Sequence, residues 1–290
     1  QLVKRHGEEA GLKLADCYGR ALPAGYIEEV SPGIAATDVE HLAALAGPDD
    51  LRLSLYRSRR KDGGLRFKLY RQLDDIPLSD ALPMMENMGL RVISEHPYKV
   101  DAASGLAYIQ DFEVESLQGE LDIDAIDEDF EDAFARVWRG DAENDGFNCL
   151  ILTAGLSWRQ VAMLRGYCKY LLQVGVPFSQ SYMEATLARY PLLARLLVEL
   201  FEARFDPRTG SESDAEIKRG MSRFGAQLKS LSADDEAAMT ALKSVVEARA
   251  KGRGVQVEAA RNALLGRVDR VFSLDQERIL RSFIGVIDAT

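Results

Sequence analysis

Residues 51–56 and 65–70 alternate between leucine or phenylalanine and more polar side chains. A period of two is typical of strands that bury one face and leave the other in water. The segment Lys61-Asp62-Gly63-Gly64 lies between them and supplies two glycines for a tight turn, so we predict a β-hairpin. On its outward face we expect Arg52, Arg66 and Lys68.

Around this hairpin, apolar residues recur with the spacing of helices and of further strands. We predict helices over residues 2–22, 38–46 and 78–88, and strands over residues 90–100 and 106–115. If Tyr26 to Val30 forms a first strand, the order becomes β-α-β-β-α-β with one strand more. This order predicts an α+β fold, a ferredoxin-like antiparallel sheet with both helices on one face.

After about residue 120 the pattern becomes helical throughout. Residues 121–133 carry seven carboxylates and predict an amphipathic helix with an acidic outer face. Residues 157–174 are apolar on most sides and predict a buried helix. Its narrow polar stripe consists mainly of Arg165, Lys169 and Gln173.

Changes in pattern along the chain divide it into three parts. We predict an α+β module with an N-terminal helix over residues 1–120, a helical domain over residues 121–207, and a helical arm over residues 208–290. The arm begins with a polar segment at residues 208–214, which we expect to be an exposed loop.

The chain is acidic, with 46 acidic and 36 basic residues among 290 and a formal net charge of −10. This charge disfavours nucleic acid and anionic membranes as partners. Three scattered cysteines fit a reducing compartment, and no apolar run reaches the ~18 residues of a membrane span, so we expect a cytoplasmic protein. The chain begins at Gln1 and ends within a helical pattern, so we expect part of a longer polypeptide.

The usual signatures of chemistry are incomplete. The glycines of Gly252-Arg253-Gly254 follow a helical pattern instead of a strand, so they do not form a dinucleotide loop. The pair Asp122-x-Asp124 lacks the rest of a calcium loop. The three histidines, His6, His41 and His96, lie far apart without a partner at metal-ligand spacing. We therefore expect no catalytic, cofactor-binding or metal-binding residues within this chain.

One segment, residues 137–148, concentrates glycine, asparagine, arginine and tryptophan at a junction between helices. Its simplest interpretation is a tight interhelical turn with caps and an arginine–carboxylate bond, and the alternative is a ligand or subunit contact. The candidate structural or interface residues are Trp138, Arg139, Glu143, Asn144, Asp145, Asn148, Trp158 and Arg159.

The same segment carries a resemblance to a known family. The sequence Trp138-Arg139-Gly140-Asp141-Ala142-Glu143-Asn144-Asp145-Gly146-Phe147-Asn148, followed by Ala154-Gly155-Leu156-Ser157-Trp158-Arg159, resembles the large bacterial NAD-dependent glutamate dehydrogenases. Further matching motifs are Glu86-Asn87-Met88-Gly89-Leu90-Arg91-Val92, Glu95-His96-Pro97-Tyr98, Pro177-Phe178-Ser179-Gln180, Leu200-Phe201-Glu202-Ala203-Arg204-Phe205-Asp206-Pro207 and Ser273-Leu274-Asp275-Gln276-Glu277-Arg278-Ile279-Leu280-Arg281.

The resemblance implies an ACT-like module followed by helical segments, N-terminal to a catalytic domain that lies beyond Thr290. It implies that the parent protein oxidises L-glutamate to 2-oxoglutarate and ammonia with reduction of NAD, and that the NAD site lies outside this chain. The partners implied are further copies of the chain, the catalytic domain and an amino-acid effector. The alternative is a stand-alone amino-acid-sensing module with a helical output arm.

Overall fold

The computed structural model describes residues 1–58, 63–117, 121–207, 236–249 and 251–290. These residues group into two compact units. The first contains residues 1–86 and 90–115, and the second contains residues 87–89 and 116–290.

Four helices open the first unit: α1 (Leu2–His6), α2 (Glu8–Tyr18), α3 (Ala24–Glu29) and α4 (Pro32–Ala43). The single helix predicted over residues 2–22 is divided at Gly7, whose φ of 79° ends α1. Helix α4 starts earlier than predicted because Pro32 occupies its first turn, where proline costs little.

The predicted strand at Tyr26 to Val30 is wrong, because this segment belongs to helix α3. Pro23, with φ of −67°, precedes the helix, and the Tyr26 side chain is buried within the unit. Pro23 has a fixed φ that suits the start of a helix. A segment this short, with a single buried aromatic residue, fits the spacing of a helix as well as the alternation of a strand.

The sheet consists of β1 (Arg52–Arg57), β2 (Leu65–Gln72), β3 (Leu90–Ala102) and β4 (Gly105–Ser116) in the order β1-β2-β4-β3. Strand β2 pairs antiparallel with both neighbours, placing Leu69 opposite Leu53 on one side and Gln110 on the other. The predicted hairpin and antiparallel α+β fold are thus confirmed, although Lys61 and Asp62 lie outside the described residues.

Helix α5 (Leu78–Asn87) connects β2 to β3. Since β4 follows β3 through a short turn and lies between β2 and β3, the connection is a split β-α-β unit. Strand β4, the additional strand of the predicted order, therefore lies inside the sheet.

The prediction that both helices lie on one sheet face is wrong. On one face, Lys68 and Tyr70 hydrogen-bond Asp38 of α4. On the other, Gln110, the register partner of Leu69, bonds both the backbone nitrogen and oxygen of Ile76, two residues before α5. Because neighbouring residues of a strand point to opposite faces, α4 covers one side and the segment that leads into α5 lies on the other.

The second unit is helical over its described residues. Its helices are α6 (Asp127–Trp138), α7 (Leu150–Ala154), α8 (Trp158–Gln173), α9 (Gln180–Arg189), α10 (Pro191–Phe205), α11 (Glu236–Arg249), α12 (Arg253–Val268) and α13 (Leu274–Ala289). Two 3₁₀ segments, Ile123–Ala125 and Gly146–Cys149, precede α6 and α7.

The predicted helix at residues 121–133 begins late, at Asp127, because a 3₁₀ turn precedes it and Leu121, Ile123 and Ile126 are buried. The predicted helix at residues 157–174 is confirmed, and Ser157 caps it in a box with Gln160. The predicted loop at residues 208–214 lies outside the described residues.

Within the described parts of the chain, every helix is too short or too polar to cross a membrane.

Candidate functional site

The predicted segment between α6 and α8 is held by a network around one arginine, which we call the Arg165 hub. Arg165 Nε lies 2.6 Å from Asp145 Oδ2, and Arg165 Nη2 lies 2.8 Å from both Asp145 Oδ1 and Asn148 Oδ1. The pairing with Asp145 is bidentate, which is the strong form of this interaction. Only 5% of the Arg165 side chain is exposed. The position of Arg165 agrees with the prediction that this helix is buried.

Asp145 organises the start of the 3₁₀ segment as well. Its carboxylate accepts a hydrogen bond from the Phe147 backbone nitrogen at 3.1 Å and one from the Gln180 side chain at 3.3 Å. Asn148 donates to the Glu143 carbonyl at 2.9 Å, which closes the turn. The segment is thus tied to α8 through Arg165 and to α9 through Gln180.

The outer rim of the hub is formed by Glu143 and Lys169, which form an ion pair. The Glu143 carboxylate also lies 3.4 Å from Arg165 Nε. Both rim side chains reach solvent, with 53% of Glu143 and 46% of Lys169 exposed. The hub therefore has a buried centre and a wet edge.

Gly146 allows α9 to approach this segment closely. A β-carbon at this position would lie 2.7 Å from Glu184 Oε2, well inside van der Waals contact. Glu184 in turn accepts a hydrogen bond from Gln180 at 2.8 Å. A side chain at residue 146 would push the Glu184 carboxylate out of this arrangement.

The remaining predicted residues lie outside the hydrogen bonds of the hub. Asn144 accepts a hydrogen bond from Asn87 at 3.0 Å. Two guanidinium groups lie over the Trp158 ring, with the Cζ atoms of Arg136 and Arg159 at 5.0 Å and 4.9 Å from the ring centroid. Arg139 is exposed and lies 3.7 Å from Asp141, while Trp138 is partly buried at the end of α6.

Two thiols in this unit are buried. Burial, assisted by the carboxylates of Glu184 and Asp145, raises the pKa of Cys149 to about 12 and that of Cys168 to about 11. Both thiols are therefore protonated near neutral pH, which makes them poor nucleophiles.

The first unit contains a second charged cluster, which we call the Asp38 cluster. Lys68 Nζ lies 2.5 Å from Asp38 Oδ2, and the Tyr70 hydroxyl donates to Asp38 Oδ1 at 2.7 Å. The Tyr26 hydroxyl donates to the same carboxylate. Because the Tyr70 hydroxyl is buried and donates to a carboxylate, its pKa is raised well above the usual value. The Lys68 side chain is fully buried, so the prediction that it points outward is wrong.

A row of polar groups continues from the Asp38 cluster toward the surface. Arg66 pairs with Asp111, with Nε–Oδ1 and Nη2–Oδ2 distances of 2.9 Å each. Its side chain is 19% exposed, so the outward position predicted for Arg66 is only partly correct. The Tyr98 hydroxyl donates to Glu29 Oε2 at 2.5 Å.

These residues line a cavity of about 40 Å³, which also contacts Tyr56 and Ser58. The volume admits one or two water molecules but is far below the ~300 Å³ of a typical ligand pocket. Within the described residues, no three His, Cys, Asp or Glu side chains are grouped to hold a metal ion.

The sequence contained little signal for these two clusters. Asp38 and Lys68 are 30 residues apart, and no local pattern pairs them. For Arg165, the available signal was a basic residue on a helix predicted to be buried, near a segment rich in carboxylates. A buried arginine requires such a partner.

Three family models match separate parts of the chain. Residues 1–45 match helical motif 2 of glutamate dehydrogenase, residues 50–126 match its ACT3 domain, and residues 142–207 match its helical motif 3. These matches define the class of the chain: an ACT domain flanked by helical motifs.

The chain is also similar over nearly its whole length to proteins named NAD-specific glutamate dehydrogenase. It is 37% identical to the protein of Halomonas elongata over 99% of this chain, and 34% identical to that of Pseudomonas aeruginosa over 100% of this chain. It is 33% identical to the protein of Mycobacterium tuberculosis over 94% of this chain. The chain spans 15–16% of the length of these relatives.

The resemblance found in the sequence is therefore confirmed: the chain is similar to proteins named NAD-specific glutamate dehydrogenase and matches the models of the ACT3 domain and of two helical motifs of glutamate dehydrogenase.

Proposed function

We propose that this chain is an architectural and regulatory segment of an NAD-dependent glutamate dehydrogenase. The parent protein would convert L-glutamate, NAD and water to 2-oxoglutarate, ammonia and NADH in the cytoplasm, with NAD bound outside these residues. The observation that carries the proposal is 37% identity across 99% of this chain to a protein named NAD-specific glutamate dehydrogenase, of whose length the chain spans 15%.

The geometry of both clusters supports a structural role. In the Arg165 hub, the arginine uses Nε and Nη2 to bind Asp145 and Asn148, so its hydrogen bonds are directed into the fold. In the Asp38 cluster, the carboxylate already has three donors. Groups satisfied in this way fix segments in place and are poorly suited to accept a proton or a ligand.

We propose further that the parts work as modules: residues 1–120 as the ACT-bearing module, residues 121–207 as the helical domain, and residues 208–290 as the arm leading to the catalytic domain. Self-association would use exposed residues, and Arg139 and Arg159 are candidates because both are exposed on the second unit. Nucleic acid and membranes are not partners in this proposal.

The experiment compares the purified chain with the full-length protein. With L-glutamate and NAD, we expect NADH formation at 340 nm from the full-length protein and none above buffer from the 290-residue chain. Turnover by the chain alone would contradict the proposal, and so would a full-length protein that fails to use glutamate.

A second candidate, a stand-alone amino-acid sensor, is favoured by the ACT3 match. The small size of the cavity beside Asp111 argues against that cavity as the sensing site. Calorimetry of the chain with a panel of amino acids separates the two functions: saturable heat from one amino acid would support the sensor, and no heat from any would exclude it.

A further inference from the structure

The sheet face that carries Lys68 is covered by residues that precede the ACT domain. Asp38 lies on α4, within the match to helical motif 2, whereas Lys68 and Tyr70 lie on β2, within the match to the ACT3 domain. Two segments that the family models treat separately thus share one buried cluster within the first unit.

The two segments contribute opposite charges to the cluster. Asp38 is 1% exposed and Lys68 is 0% exposed, and they form an ion pair with each other. An unpaired charge at this depth is strongly destabilising, so the Asp38 charge is tolerated only while Lys68 is in place. Lys68 Nζ also lies 3.7 Å from Asp111 Oδ2 on β4, within the sheet itself. The Asp38 carboxylate is completed by one tyrosine from each side, Tyr26 from α3 and Tyr70 from β2.

Apolar packing surrounds the cluster and also spans both segments. The surrounding core contains Val39 and Leu42 from α4 together with Val100 and Ile109 from the sheet. Apolar contact is non-directional, so it holds the segments together without selecting one register. A buried ion pair with fixed hydrogen-bond partners is satisfied in only one arrangement.

We propose that the Asp38–Lys68 pair joins helical motif 2 and the ACT sheet into one cooperative unit and fixes the register in which the motif covers the sheet. This sheet face is then permanently occupied and is available neither to an effector nor to a second copy of the chain. A signal received by the ACT domain would move the helical motif with it. The inference does not depend on the reaction of the parent protein.

The first test is hydrogen exchange of the full 290-residue chain, followed by mass spectrometry. If the two segments open together, the slowest amides of α4 (residues 32–43) and β2 (residues 65–72) exchange through the same opening event and respond equally to low urea. If α4 exchanges through a faster opening of its own while β2 stays protected, the proposal is overturned.

The second test is a double-mutant cycle read by thermal unfolding. Lys68→Met leaves the Asp38 charge unpaired, and we expect Tm to fall by about 10 °C. Adding Asp38→Asn removes that charge and keeps an acceptor for the tyrosine hydroxyls, so at least half of the loss should return. Losses that simply add would contradict the proposal.

A matched control uses the same substitution at an exposed ion pair. Lys13 pairs with Glu9 on the surface of α2, where the side chains are 75% and 85% exposed. Lys13→Met should therefore change Tm by no more than about 2 °C. The exchange rates of α4 and β2 should stay within about twofold of those in the original chain. A loss equal to that of Lys68→Met would show that the substitution itself, and not the buried pair, is responsible.

Discussion

The two charged clusters hold the molecule together in different ways. The Asp38 cluster is enclosed: its lysine and carboxylate are buried, and tyrosine hydroxyls complete the hydrogen bonding. The Arg165 hub has an open edge, where Glu143 and Lys169 are about half exposed. The first joins a helical motif to a sheet, whereas the second fixes a turn of irregular backbone between helices. The more deeply a charged group of either cluster is buried, the more its removal should lower the free energy of unfolding.

The largest expected effect is on the alkylation rate of the buried Cys149 thiol. The pKa of about 12 at Cys149 leaves little thiolate at pH 8, so alkylation in the folded chain should be slower than in the urea-unfolded chain by about 1000-fold. Cys17 of the first unit is only partly buried and serves as the internal reference. Mass spectrometry of alkylated peptides over time measures both. Equal alkylation rates for Cys149 in the folded and unfolded chains would show that this thiol is not buried.

The next largest effect should follow from breaking the centre of the Arg165 hub. Arg165→Leu leaves the Asp145 carboxylate and the Asn148 amide without their main donor, so we expect a loss of about 3 kcal/mol in the free energy of unfolding. Chemical denaturation measures it. The control is Lys169→Ala at the exposed rim, where the expected loss is about 0.5 kcal/mol. If Lys169→Ala lowers the free energy of unfolding as much as Arg165→Leu does, the distinction between a buried centre and an exposed rim is contradicted.

The smallest effect tests the close approach at Gly146. Gly146→Ala places a methyl group against the Glu184 carboxylate, which must move and lose its bond to Gln180, for a cost of about 1 kcal/mol. In a Glu184→Ala background the same substitution should cost close to nothing, because the obstacle is gone. A cost that persists in that background would locate the strain in the backbone instead.

The comparison also shows how far the sequence alone could lead. The alternation in residues 51–56 and 65–70 predicted the hairpin correctly because strand period is a local property. The alternation does not show which sheet face a distant segment covers. It therefore predicts that Lys68 lies in solvent, whereas α4 covers this residue. The placement of both helices on one face failed for the same reason. The strand predicted at Tyr26 to Val30 failed for a local reason, because so short a segment fits helical spacing as well as a period of two.

The candidate site follows a similar pattern. Glu143, Asp145 and Asn148 were selected from a dense local run of turn and acceptor residues, and the structure brings these three together. Arg165 and Gln180, which complete the network, lie on later helices and were missed as site residues. The sequence thus identified the residues of the local turn but not Arg165 and Gln180, since these two are brought in by helix packing.

The most direct test of the central claim, that the hub is architectural, is a kinetic measurement on the full-length protein carrying Arg165→Lys. Lysine keeps the charge but loses the bidentate geometry. We predict that Tm falls by several degrees while kcat for NAD reduction with glutamate, measured well below Tm, stays within about twofold of the original protein. A fall in kcat of more than about tenfold with Tm and oligomeric state unchanged would contradict the account, because it would place Arg165 in the catalytic machinery.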